Sequence, residues 1–282
     1  MNLIAILWWM IAAASASVAV LHGHVWLRMP SARANAAFAL CAGSLAMIAV
    51  VELQMIQAET PEQYGRMLWL YHFPVWLAMV GAVMFIWFHM RAGRAWLGWT
   101  VIALRTLAML YNAWATPNMN FLEITSIERV PWLGGSVAVA QGVPDPWMAL
   151  GTLSVLGLAC FIADASVTLW RRGEHRRALG VGGTFALFVT AAAVMAWVAV
   201  WSATKIPVLV TLFFLPIIVT MGIEVSADLI RSVGRAEALQ RTESELRETQ
   251  ARLRLAADAA QVGLWSIELG SGRRRRSSAP RC

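Results

Sequence analysis

Ionisable side chains inside long apolar runs are the first places to look for chemistry, because a charge at membrane depth is costly and is retained for pairing or function. Glu52, His72 and Arg105 each stand in such a run, with Tyr71 and Asn112 close to them by position. If the runs are helices crossing a membrane, the 1.5 Å rise per residue sorts these groups by depth. Glu52, His72, Tyr71 and Asn112 then fall in the outer third, with Arg105 near the middle. The chemistry on offer is ligand recognition: Glu52, His72, Arg105 and Asn112, among Trp69, Trp76 and Trp114, are the candidate lining of a pocket for a small signal molecule. A guanidinium near the midplane requires a carboxylate partner or an anionic ligand. An Arg105–Glu52 pair that only fixes helix packing is the alternative.

A second group, His22, His24, His89, Asp164, Glu224 and Asp228, falls toward the inner side. Asp164 and Glu224 can pair with inner-side Arg or His, and Glu224 is the candidate relay residue of the last span. His22 or His24 with His89 is the one combination at a depth to hold a haem, so a haem-binding or redox membrane protein is a competing class. No paired pattern recurs on another helix, and neither cofactor nor metal site is expected. Retinal chemistry needs a buried lysine amine; the sole lysine, Lys205, stands at the outer edge of a span. No inverted repeat of the transporter kind is visible, and Pro74 and Pro216 serve packing geometry. Cys41, Cys160 and Cys282 make neither a disulfide framework nor a metal motif.

The elements that must position these groups are apolar helices. The chain is 59% hydrophobic and 14% charged over 282 residues, a composition of multi-span membrane proteins rather than soluble domains. About 20 apolar residues span a bilayer core. Seven runs qualify: 3–27, 34–56, 67–90, 95–115, 147–170, 178–202 and 207–230. ASASVA near the N-terminus lacks a charged segment before it, so a retained helix is expected there rather than a cleaved leader. Connections one, three and five are arginine-rich (Arg28, Arg33; Arg91, Arg94; Arg171, Arg172, Arg176, Arg177), and the even ones are acidic on balance. By the bias of basic residues toward the cytoplasm, the N-terminus lies outside and the C-terminus inside. The net charge of +7 reflects those loops, and no nucleic-acid partner is expected.

The long outer connection, 116–146, holds two β-branched runs, LEITSIERV and SVAVA, around PWLGG. It reads either as a hairpin with a Gly-containing turn or as an irregular covering loop. Beyond residue 230 the composition becomes charged. Leu239, Leu246 and Leu253 recur every seven residues, with Thr242, Thr249 and Ala256 three residues after each. That is a short heptad seam for a parallel homodimer; a single amphipathic helix lying on the protein or on membrane lipid is the alternative.

RLRLAADAAQVGLWSIELGSG resembles the opening of a PAS domain. With MGIEVSADLIRS, NFLEITSIERVPWLGGSVAVAQGVPDPWM and WRRGEHRRALGVGG, it is similar to the seven-helix membrane input region of proteobacterial PAS-containing sensor histidine kinases. The resemblance covers most of the chain. It implies an all-α architecture: a seven-helix membrane region over 1–230, a signalling helix or coiled coil over 231–257, a PAS start over 258–272 and a basic tail over 273–282. It implies a bacterial inner-membrane location and a role as sensory input to a two-component kinase. A PAS domain needs about 100 residues, and here the text turns to RRRRSSAPRC after roughly 15, so the expectation is a truncated PAS start. The kinase activity is carried onto no residue here, and the chain as written is not expected to be an enzyme. A response regulator would be a partner of the full-length parent alone, and a diguanylate cyclase is the alternative output.

Overall fold

The computed structural model describes residues 3–201 and 209–259, and most of the described residues are helical. The helices are α1 (Leu3–Arg28), α2 (Arg33–Gln57), α3 (Pro61–Phe85), α4 (Ala95–Trp114), α5 (Met148–Arg171), the single turn α6 (His175–Arg177), α7 (Thr184–Trp201) and α8 (Val210–Ala259). Two π-helical turns, Ile86–Met90 and Ala178–Gly183, follow α3 and α6. Strands β1 (Phe121–Trp132) and β2 (Gly135–Pro144) lie between α4 and α5. The chain divides into two compact units, Met1–Val225 and Ser226–Cys282.

Among the described residues, six stretches are long and apolar enough to cross a membrane: Leu3–Arg28, Arg33–Gln57, Pro61–Met90, Met148–Arg171, His175–Met195 and Val210–Ala227. Seven were expected. The one that falls short is α4, where Arg105, Asn112 and three tryptophans (Trp96, Trp99, Trp114) dilute the apolar content. Large apolar side chains face outward along the bundle, among them Met10, Leu21, Leu107, Leu110, Leu153 and Val167. Glu52, His72, Arg105 and Asn112 are buried inside. Apolar outside and polar inside is the arrangement of a protein surrounded by lipid, where helices must satisfy polar groups internally.

Local chemistry sets the boundaries. α3 begins six residues before the expected run because Thr60–Pro61–Glu62–Gln63 forms a cap. The Thr60 hydroxyl accepts from Gln63 N, Gln63 Oε1 accepts from Glu59 N, and Pro61 occupies the first turn. Small residues let neighbouring helices approach closely. A Cβ on Gly81 would stand 2.7 Å from Cys41 Sγ and 3.2 Å from the Ala37 carbonyl, so α2 and α3 meet at this glycine.

The connection after α4 is an antiparallel hairpin. Trp132 pairs with Gly135, and the two residues between them, Leu133 and Gly134, have φ of 44° and 72°. Two left-handed residues make the tight turn whose twist suits paired strands. The hairpin is held to one end of the bundle by packing: Phe121, Ile124, Ala138 and Ala140 join Met55, Tyr64, Leu68 and Tyr71 in one apolar cluster. Val137 joins Trp8 and Leu53 in another. Arg129 adds a polar clasp, its guanidinium donating to the carbonyls of Ile56 (3.2 Å), Gln57 (3.3 Å) and Ala58 (3.0 Å). Those carbonyls end α2, where no intrahelical donor remains and a cation suits the helix dipole.

In the second unit, α8 carries Leu239, Leu246 and Leu253 exposed, with i,i+4 pairs Glu243–Arg247 (2.6 Å) and Glu248–Arg252 (2.5 Å) on its surface. Residues 260–272 of the expected PAS start, the basic tail 273–282 and Lys205 lie outside the described residues.

Candidate functional site

A cavity of about 160 Å³ lies within the first unit, at the hairpin end. Helical periodicity builds its walls. Tyr64, Leu68, Tyr71, His72, Val75 and Met79 form one face of α3; Met148, Gly151, Thr152, Val155 and Leu158 form one face of α5. α2 contributes Glu52, α4 contributes Arg105, and α8 contributes Val210 and Phe214. Asn120 and Phe121 at the start of the hairpin close part of the wall.

Glu52 is 1% exposed and ties four helices together. From α2 its carboxyl accepts Trp8 Nε1 of α1 (3.2 Å), the Tyr71 hydroxyl of α3 (3.0 Å), and Thr211 N of α8 at both oxygens (3.1 and 3.2 Å). Thr211 is in the first turn of α8, where backbone N–H groups lack intrahelical acceptors and the helix dipole favours an acidic group. The carboxyl is thus a cap supplied from another helix, 159 residues away in sequence.

Arg105 is 5% exposed, whereas Leu107 and Leu110 on the same helix exceed 50%. Its Nη2 donates to His72 Nδ1 at 3.2 Å. A guanidinium has no acceptor capacity, so Nδ1 is the acceptor and His72 carries its hydrogen on Nε2. That N–H donates to Asn120 Oδ1 at 2.6 Å. The result is a directed chain, Arg105 to His72 to Asn120, with a neutral imidazole at its centre. Arg105 Nε is buried without an acceptor. Gly151 makes room for this group: a Cβ there would lie 3.4 Å from Arg105 Nη1 and 3.2 Å from Met119 Cε.

Glu52, His72 and Arg105 therefore share one cavity, but the Arg105–Glu52 pair does not form; Glu52 is engaged by Trp8, Tyr71 and Thr211 instead. Asn112 is not in the cavity wall. Its Nδ2 donates to the Trp69 carbonyl (3.0 Å), its carbonyl accepts Trp69 Nε1 (2.8 Å), and its Oδ1 accepts Met119 N (3.1 Å). This reciprocal clamp joins α3 to α4 and anchors the chain entering β1. The expected tryptophan surround is also differently placed. Trp114 is largely exposed, Trp76 Nε1 donates to Thr106 Oγ1 (2.9 Å), and Tyr64, Tyr71, Phe121 and Phe214 supply the aromatic wall.

At the opposite, arginine-rich end, Asp164 accepts the backbone N of Arg94 (2.8 Å), with Arg94 Nε 3.5 Å from its other oxygen. Glu224 of α8 approaches His89 Nε2 at 3.9 Å, and the His89 ring stacks on Phe85. His22 Nδ1 is bonded to Asn35 Oδ1 (2.8 Å), and His24 is exposed. Among the described residues no group of three His, Cys, Asp or Glu side chains is placed to hold a metal ion. Trp8, Asn120, Arg129 and Thr211 were not singled out in the sequence. Asn120 and Arg129 carry no local signal beyond their polarity in an ordered loop, and Thr211 acts through its backbone.

The sequence matches no protein-family model and no curated protein.

Proposed function

We propose that the chain is the membrane sensory input region of a two-component sensor histidine kinase, in which a small molecule taken into the cavity acts on α8. One observation carries this reading. The Glu52 carboxyl in the cavity wall caps the first turn of α8, and Val210 and Phe214 of that helix line the same space. Occupancy of the cavity bears directly on the start of a helix assigned through to Ala259. A rotation or piston shift of such an element is an established way to carry a switch. Glu224, opposite His89, is the relay contact of α8 at the far end of the bundle.

In this reading α4 is the seventh span, since Arg105 and Asn112 point inward and Leu107, Leu110 and Trp114 outward. The arginine-rich connections lie in the cytoplasm of a bacterium and the hairpin on the outer face of its inner membrane. Leu239, Leu246 and Leu253, exposed in the single chain, form the seam of a parallel homodimer. The output is a kinase that passes its phosphoryl group to a response regulator.

Spin labels at Ile223→Cys and Leu246→Cys, in nanodiscs with excess unlabelled chain, test the lever. A continuous helix places the two positions about 35 Å apart at 1.5 Å per residue. A single narrow distance distribution near that value is expected. A broad distribution, reporting a joint between the labels, overturns the relay.

A further inference from the structure

We infer that the cavity binds a small monocarboxylate with an apolar body of about benzene size, its carboxylate seated on Arg105. The inference rests on the sensory reading only for its biological use; the binding site stands on its own geometry. Arg105 is 95% buried by its 5% exposure, yet among the described residues its sole hydrogen bond goes to a neutral imidazole, and its Nε has no acceptor. A buried cation held this way is incomplete, because desolvation of a charge is offset only by a well-placed counter-charge and hydrogen bonds. Glu52 does not supply that charge. Three donors from three other helices already engage both its oxygens, so the wall has a satisfied acidic end and an unsatisfied basic one.

The shape of the unmet demand selects the ligand. A guanidinium is a planar fork that matches a carboxylate in two parallel hydrogen bonds. A single guanidinium beside a neutral imidazole offers one positive charge, which suits a monoanion rather than a dianionic phosphate. Most of the remaining wall is apolar, from Leu68, Val75, Met79, Val155 and Phe214, with Tyr64, Tyr71, Thr152 and Asn120 adding polar atoms beside the engaged Glu52. The volume of about 160 Å³ is close to the roughly 150 Å³ apolar cavity known to admit benzene. His72, fixed by Asn120, is a positioning residue that orients the guanidinium toward this space.

The test uses the full chain in lipid nanodiscs, radiolabelled benzoate as the probe, and unlabelled benzamide and benzylamine as competitors of nearly the same shape. Saturable benzoate binding is expected, with benzamide competing about 10- to 100-fold more weakly, the value of a hydrogen-bonded charge, and benzylamine not competing. Arg105→Gln is expected to weaken benzoate by the same factor. Val155→Trp, which fills the cavity from the α5 wall, is expected to abolish binding. Absence of saturable benzoate binding overturns the inference, as does equal competition by benzamide or unchanged binding in Val155→Trp. If Arg105→Gln does not insert, the probe series and Val155→Trp decide alone. None of these readouts involves signalling. Benzoate binding alongside a flexible joint in α8 would sink the relay and leave the ligand class standing.

Discussion

Replacement of Glu52 by alanine is the perturbation that most directly tests how the bundle is held together. The substitution removes one carboxyl and strands three donors that, among the described residues, bond to it alone: Trp8 Nε1, the Tyr71 hydroxyl and Thr211 N. A buried donor left unsatisfied costs about 1–3 kcal/mol; allowing for partial relaxation into the adjoining cavity, the three together come to roughly 3–6 kcal/mol. At about 2–4 °C per kcal/mol for a chain of this size, the midpoint of thermal unfolding should fall by on the order of 10 °C. Glu52→Gln should fall far less. Its amide can present oxygen to Trp8 and Thr211 while the NH2 faces Tyr71, whose hydroxyl can turn and accept, so the loss is the charge-assisted part, roughly 1–2 kcal/mol. Cys41 provides the assay, since it is 5% exposed and reacts with a thiol-sensitive dye only when the bundle opens. The background is Cys160→Ser with Cys282→Ser. A monodisperse Glu52→Ala protein unfolding within about 2 °C of its parent would refute the capping role. Equal losses in the Ala and Gln variants would refute the account of the donors.

Two further outcomes follow from the packing. Arg129→Ala should release the last carbonyls of α2, at a local cost of about 1–2 kcal/mol. Hydrogen exchange across residues 121–144 should quicken by about tenfold or more, with Arg129→Lys intermediate; an unchanged exchange pattern would remove the clasp. Gly81→Ala should force α2 and α3 apart against the 2.7 Å and 3.2 Å contacts, costing about 1–3 kcal/mol. Adding Cys41→Ala should recover part of that loss, read by near-ultraviolet circular dichroism on heating; a double variant no better than the single one would show that the sulfur is not the obstacle.

Much of the architecture was legible in the residue order because hydropathy is a local property. The six stretches able to span a membrane among the described residues announce themselves by run length, whereas PWLGG among β-branched residues leaves a hairpin and an irregular loop both open until the strand pairing decides. The run 95–115 read from the sequence is the helix Ala95–Trp114, although its buried residues Arg105 and Asn112 are among those that lower its apolar content. Glu52, His72 and Arg105 stood out because charge and imidazole are rare in apolar runs. Their depth followed from counting residues, but their partners did not. Whether Arg105 meets Glu52, or Glu52 meets Trp8, Tyr71 and Thr211, depends on how each helix is rotated about its axis and which helices are neighbours. Those quantities are set by the fit of small residues such as Gly81 against Cys41 and of the hairpin against α2 and α3. A cap joining residue 52 to the backbone of residue 211 has no trace in either segment alone. Only packing creates it, because an N–H at a helix start is an unmet donor whatever its side chain.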